Sequence, residues 1–457
     1  MSDEKVVQMP RRKRPPAEGP TDTEVTERFV ADQVVRWRYV PAWGVWMLFT
    51  GTVWVEDELK GYVHDAIEHL KEEASVLNGK AKARMLSATK PMAIARLSGF
   101  YPELAAAVDD WDRGGGINGE GRMIDMEGKT MQVRGRPVIA GDYVTKTMIC
   151  TPDDGDCPLW MQFLEEVTDG DTDMMEFLQR MVGYCCTGHT REQKLFFIYG
   201  PGGNGKSVFV NIITRILNTY AVTADMSLLT ASNQERHPTD LARLRGARLV
   251  TIQENDEGRR LDEAKVKQLT GGDMIAARFM NKDFFEFRPV CKILISGNHK
   301  PRLSNVDDAI KRRFVIVPFT VRFDEDRRDP ALEEKLWAER EQIAAWMLKG
   351  ARWWAQEGLM IPARVMAETA DYFEAEDTTE LWLEECSRAK PEGWASNKDL
   401  FQSWSEWCKR SGEYAGTRKQ FAQRLKKRSD MKALKRVVWG FTGRELLSEP
   451  LQDARMF

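Results

Sequence analysis

The chain has 457 residues, 42% hydrophobic and 30% charged, with a formal net charge of −3. That length allows two to four domains, each burying its own core, and the composition is that of a soluble globular protein rather than a disordered one. With so little net charge, contact with nucleic acid has to come from local clusters of Lys and Arg.

In chain order, residues 1–23 form a polar tail with the run Arg11-Arg12-Lys13-Arg14, expected to be disordered and solvated. It has no apolar stretch of the secretory kind. The stretch Trp43 to Val55 is too short for a membrane span and is broken by Gly44, Thr50 and Gly51, so no membrane partner is expected. The seven cysteines show neither disulfide nor zinc spacing and read as core thiols in a reducing cytoplasm. Residues 24–150 mix a helical run (Val63 to Leu77) with strand-like pieces at Trp43–Trp46 and Gly51–Trp54. Gly114-Gly115-Gly116 reads as a loop, because no strand–loop–helix pattern surrounds it. Residues 151–190 are helical by period, with Trp160, Phe163, Leu164 and Val167, then Phe177, Leu178, Met181 and Val182. Strands and helices alternate through 191–330, which predicts an α/β core. A helical connector at 331–379 leads to a segment at 380–457. There, two amphipathic helices, with Trp404 and Trp407 in the core, precede a strand-like Arg436–Phe441.

The chemistry concentrates in 191–330. Leu195–Tyr199 is an apolar run of the size of a buried parallel strand. It enters Gly200-Pro201-Gly202-Gly203-Asn204-Gly205-Lys206-Ser207 and then a helix with Val208, Ile212, Ile213, Ile216 and Leu217 on one face. This is the GxxxxGK[ST] pattern in its strand–loop–helix context, a loop that binds ATP through its backbone N–H groups. Lys206 is expected on the β- and γ-phosphates and the Ser207 hydroxyl on Mg²⁺. A second strand, Arg248–Gln253, ends at Glu254, placed to polarise the attacking water and to serve the metal. A third, Cys291–Ser296, ends at Gly297-Asn298, where the Asn can bridge the γ-phosphate and the water. Between them, Met274–Met280 and Phe284–Phe287 flank Asn281-Lys282-Asp283 and read as a β-hairpin.

Those three strand ends and their spacing resemble superfamily III helicases, a branch of the AAA+ ATPases. The finer similarity is to the D5-like, P4-type phage and plasmid primase–helicases. It rests on Leu195–Val208, Leu244–Arg248, Lys267–Asp273, Gly297-Asn298-His299-Lys300-Pro301 and Arg312-Arg313-Phe314. Trp43-Gly44, Gly51, Trp54 and Asp142–Lys146 look like the family's N-terminal region. Many superfamily III strands end in two acids; here the pair is Gln253-Glu254, and D5-like members commonly carry one Glu. The resemblance implies a P-loop AAA+ core with a mixed α/β N-terminal region, a helical collar, and a small C-terminal winged-helix-like domain. It also implies a hexameric ring that moves on single-stranded or forked DNA. In that reading Lys282 carries the hairpin to the DNA backbone. The Arg-Phe step favours Arg313 as the finger that reaches a neighbour's γ-phosphate, which leaves Arg312 to pair with an acid or touch the neighbour. Arg424, Lys426 and Lys427, with Arg418, Lys419 and Arg428 nearby, are the C-terminal DNA candidates, set against a merely solvated helix face.

Two rivals differ in activity. One is a replication-initiation or loading ATPase that binds DNA without unwinding it. The other is the helicase part of a primase–helicase system. Only about 190 residues precede the P-loop strand, with no paired-carboxylate and His pattern for nucleotidyl transfer, so priming is expected from a separate chain.

Overall fold

The computed structural model describes residues 19–113, 115–126, 135–230, 239–254, 260–279, 283–303, 307–324, 328–376, 378–411, 415–426, 428 and 430–447. Thr21 starts the first helix, α1 (Asp22–Gln33), with a capping box. Its Oγ1 accepts the Glu24 N–H at 3.1 Å, and Glu24 accepts the Thr21 N–H at 2.7 Å. An antiparallel sheet follows, β1 (Trp37–Val40), β2 (Val45–Phe49) and β3 (Trp54–Glu56), then α2 (Gly61–Ser75), α3 (Gly79–Met85) and α4 (Lys90–Ser98). The strand expected from Trp43 begins at Val45, because the chain first turns through Gly44 at φ 65°. Likewise the piece expected from Gly51 is a turn up to Trp54. Phe29, Trp37, Tyr62, Leu70 and Ile94 build this core, and Trp46 stacks on Tyr62.

A second small sheet, β4 (Ile117–Gly119), β5 (Arg122–Ile124) and β6 (Arg136–Pro137), joins this region to the rest. Buried Asn118 donates to the carbonyls of Thr52 (2.9 Å) and Lys146 (3.1 Å), while its N–H donates to the Tyr220 hydroxyl at 3.0 Å. The periodic stretch at 151–190 forms two helices, α5 (Pro158–Thr168) and α6 (Thr172–Cys186).

The central layer contains β7 (Leu195–Tyr199), α7 (Lys206–Leu217), β8 (Ala221–Ala224), α8 (Thr239–Ala242), β9 (Leu249–Glu254) and α9 (Glu263–Gly271). It continues with β10 (Ile275–Ala277), β11 (Phe285–Phe287), β12 (Lys292–Gly297), α10 (Asp308–Lys311) and β13 (Phe314–Pro318). Five strands form one parallel sheet in the order β13-β7-β12-β9-β8. A parallel sheet is covered on both faces, and β7 shows it residue by residue. Phe196 and Ile198 enter a core shared with α5, α6 and α7, while Leu195 and Phe197 enter the opposite core with Val266, Leu269 and Ile310. The expected hairpin is present as antiparallel β10–β11, with Ala277 opposite Phe285.

Helices α11 (Leu332–Ala338), α12 (Arg340–Glu357) and α13 (Ala363–Glu376) form the connector. The last unit has α14 (Thr378–Cys386), β14 (Ser387–Ser396), α15 (Asn397–Ser411), α16 (Arg418–Lys426), β15 (Lys432–Lys435) and β16 (Trp439–Leu446), with sheet order β14-β16-β15. Trp382, Trp404, Trp407 and Phe421 fill its core. The strand expected from Arg436 starts at Trp439, because Arg436–Val438 is the turn between β15 and β16. Among the described residues no helix is long and apolar enough to cross a membrane.

Helices α6 and α12 touch backbone to backbone. A Cβ on Gly183 would lie 2.0 Å from the Ala351 nitrogen, and one on Gly350 would lie 2.0 Å from the Gln179 carbonyl oxygen. The Gln179 side chain then donates to the Trp346 carbonyl at 2.9 Å across the same crossing. Gly350→Ala should therefore force the two helices apart and lower unfolding stability by about 1–3 kcal/mol or more in urea titration. A variant with unchanged midpoint would contradict this crossing.

Candidate nucleotide site

Three neighbouring strands end in one row. Gly297 is the register partner of Tyr199 on β7 and of Glu254 on β9, so the glycine-rich loop, Asn298 and Glu254 share one edge of the sheet. Gly297 makes that approach possible: a Cβ there would stand 2.9 Å from Glu254 Cβ and 3.0 Å from Phe197 Cζ. Glu254 itself is buried.

The loop 200–207 adopts a shape that side chains would resist. Gly202, Gly203 and Gly205 have φ of 97°, 64° and 81°. At Gly200 a Cβ would collide at 2.0 Å with Asn204 Nδ2 and the Phe319 oxygen. Asn204 is buried and donates to the Phe319 carbonyl at 2.6 Å, tying the loop to the end of β13. Gly205 caps α7, whose first N–H groups have no partner within the helix. Pro201 and Ser207 are exposed on this rim.

Lys206 is buried, and its ammonium donates to the Gly200 carbonyl (2.6 Å), Asn204 Oδ1 (2.9 Å) and Asn298 Oδ1 (3.0 Å). Three protons meet three neutral acceptors, and burial pulls the Lys206 pKa below its ordinary value. A buried cation whose acceptors among the described residues are all neutral, beside a helix N-terminus, is an arrangement suited to an anion. Sequence reasoning placed these residues but missed their neighbours. Gly205 sits under α5, where a Cβ would be 2.7 Å from Val167 Cγ1. Gly203 accepts the Phe323 N–H at 2.9 Å, and its face is covered by the Arg328 guanidinium. No local motif marks Val167, Phe319 or Arg328, because their part comes from packing.

The opposite edge of the sheet carries other cations. Arg248 donates to the Cys186 carbonyl at 2.6 Å, and the Lys292 ammonium donates to the Thr187 carbonyl, so two cations cap the C-terminus of α6. Lys292 is wholly enclosed, and burial pulls its pKa down to about 8. Arg313, the finger favoured by sequence, also lies at this edge and turns inward. It is buried, with Nε donating to Thr270 Oγ1 (3.1 Å) and Nη1 to the Ala309 carbonyl (2.7 Å). A guanidinium held this way joins α9 to α10 within its own chain. Arg312 is the exposed member of the pair. The helical spacing held the signal, since Arg313 follows buried Ile310 by three positions.

Lys282 and Lys427 lie outside the described residues. Arg424 and exposed Lys426 sit on α16, in the C-terminal unit and apart from the strand-end row. Among the described residues no group of three or more His, Cys, Asp or Glu is placed to hold a metal ion.

Residues 26–169 match a family described as "D5 N terminal like", and residues 198–313 match one described as "Family of unknown function (DUF5906)". The chain is 26% identical over 270 residues to a protein of Acanthamoeba polyphaga mimivirus named as a candidate helicase. It is also 23% identical over 176 residues to Primase D5 of Fowlpox virus (strain NVSL). These matches support a D5-like primase–helicase family for the chain. A Frog virus 3 (isolate Goorha) protein, again named as a candidate helicase, is 24% identical over 311 residues. These matches cover 54%, 37% and 63% of the D5-like chain, respectively, but only 28%, 22% and 32% of the relatives, so it spans less than a third of their length. The apo structure of the NrS-1 C-terminal region aligns over 92% of this chain and 98% of that one, at 10% identity and a TM-score of 0.46.

Proposed function

We propose that this D5-like chain is an ATP-hydrolysing motor of the superfamily III, AAA+ type that assembles as a ring and translocates on DNA during replication. The observation that carries the reading is Lys206, a buried ammonium held between the glycine loop and Asn298, one strand away from Glu254. In this reading the loop N–H groups and Lys206 hold the β- and γ-phosphates of ATP, and Asn298 contacts the terminal phosphate and the attacking water. Ser207 and Glu254 would hold Mg²⁺, which neutralises developing phosphate charge. A site with one carboxylate suits this ion, which takes most of its ligands from phosphate and water. Glu254 then polarises the water.

The arginine finger in this reading is Arg312. It stands two residues before β13, six positions from Pro318 at the nucleotide edge or roughly 20 Å along an extended chain, too far to serve its own site. A head-to-tail ring, hexameric by family resemblance, brings it to the next chain's ATP. The hairpin β10–β11, through Lys282, and the winged-helix-like C-terminal unit, through Arg424, Lys426 and Lys427, would contact DNA phosphates.

DNA-stimulated ATP hydrolysis tests the reading. Lys206→Ala should lose both ATP binding and turnover, whereas Glu254→Gln should still bind ATP and lose about 100-fold or more in kcat. Equal loss of binding in both variants would remove Glu254 from the water-polarising role. Mixing Arg312→Ala with Lys206→Ala chains should restore part of the turnover that each lacks alone, because mixed interfaces then pair an intact loop with an intact finger. A co-assembled mixture without activity would sink both Arg312 and the shared site.

A further inference from the structure

The β15–β16 hairpin places hydrophobic residues where the fold has no use for them. Lys435 pairs with Trp439, leaving Arg436-Val437-Val438 as the turn. Turns favour Gly, Asn, Asp and Ser, each for a backbone reason that Val does not supply. Val437 is 95% exposed, Val438 51%, Trp439 56% and Leu434 42%, so this tip gathers four exposed large hydrophobics within six residues. Such a cluster indicates contact with something outside the chain.

The surroundings say what. From Arg418 to Trp439 the sequence holds nine Lys and Arg against one acid, Asp430, in a chain of net charge −3. Asp430 is itself engaged by Arg428 at 2.8 Å and Arg444 at 3.2 Å. Exposed Arg418, Lys419 and Lys426 lie on α16, and exposed Lys432, Lys435 and Arg436 lie on the hairpin itself. That charge is complementary to a polyanion. An apolar tip gains nothing from phosphates, however. What it can meet on a nucleic acid is the face of a base, reachable where a duplex ends or divides.

We propose that the hairpin tip is a wedge for a DNA fork: Trp439 stacks on the terminal base pair, Val437 and Val438 hold the separated strands apart, and Lys432, Lys435 and Arg436 grip the flanking phosphates. The idea deepens the helicase reading and rests on it.

The test uses the full chain, with a forked duplex carrying 2-aminopurine at the first unpaired position, where the base stacks on the junction pair until Trp439 takes its place. Wild type should raise the probe's fluorescence on binding and unwind the fork. Trp439→Ala, and the double variant Val437→Ser/Val438→Ser, should lose that rise and unwind roughly tenfold or more slowly, while ATPase on single-stranded DNA stays within about twofold. Trp439→Phe should recover the signal, since it keeps an aromatic face. These side chains are exposed, so an unchanged melting temperature checks the fold. Variants that unwind at the wild-type rate with the fluorescence rise intact would overturn the wedge alone. Tip-dependent binding to anionic phosphatidylserine vesicles, with no tip dependence on the fork, would reassign the surface to lipid. A wild-type chain that hydrolyses ATP but opens no fork would overturn the helicase reading together with the wedge.

Discussion

Parallel pairing aligns strand ends of like polarity on one edge, and that constraint organises the rest of this molecule. Because β7, β12 and β9 are adjacent and in register at Tyr199, Gly297 and Glu254, three segments far apart in sequence present a cation, an amide and a carboxylate side by side. The geometry tolerates little change. Gly297 has no room for a Cβ against Glu254 and Phe197, and Gly200 has none against Asn204 and Phe319. The two cores that cover the sheet hold the row level, and α5 lies directly on the loop at Gly205.

The same polarity separates the two kinds of positive charge. Lys206, at the C-terminal edge, donates to neutral oxygens, an arrangement that suits an anion. At the N-terminal edge, Arg248, Lys292 and Arg313 are consumed by helix ends and hydroxyls, which join α6, α9 and α10 to the sheet. Burial opposes charge at both edges, yet of these four cations Lys206 alone sits beside a helix N-terminus and a glycine-rich loop. Buried cations are therefore common here, and surroundings rather than burial mark the candidate site.

The parts of this arrangement that were legible in sequence are those whose cause is local. The loop 200–207 is one contiguous motif, and β7, β9 and β12 are apolar runs because both of their faces are covered. Strand β8 escaped notice: it has four residues, lies at the sheet edge and is only half-buried, so its pattern is weak. Strand β14 is polar, contains Pro391 and Gly393, and shifts register between Lys390 and Trp394, which conceals any alternation. The choice between Arg312 and Arg313 depended on which way a four-residue helix turned, a matter of one residue's rotation. Arg328 and Phe319 reach the loop through tertiary packing alone.

If the strand-end row is one nucleotide site, Asn298 meets the terminal phosphate of ATP. Calorimetric titration of Asn298→Asp with a non-hydrolysable ATP analogue and with ADP tests it most directly. A carboxylate at that position should repel the γ-phosphate and weaken the triphosphate by about tenfold or more, while ADP affinity changes little. Equal weakening of both nucleotides, or of neither, would contradict this placement of Asn298.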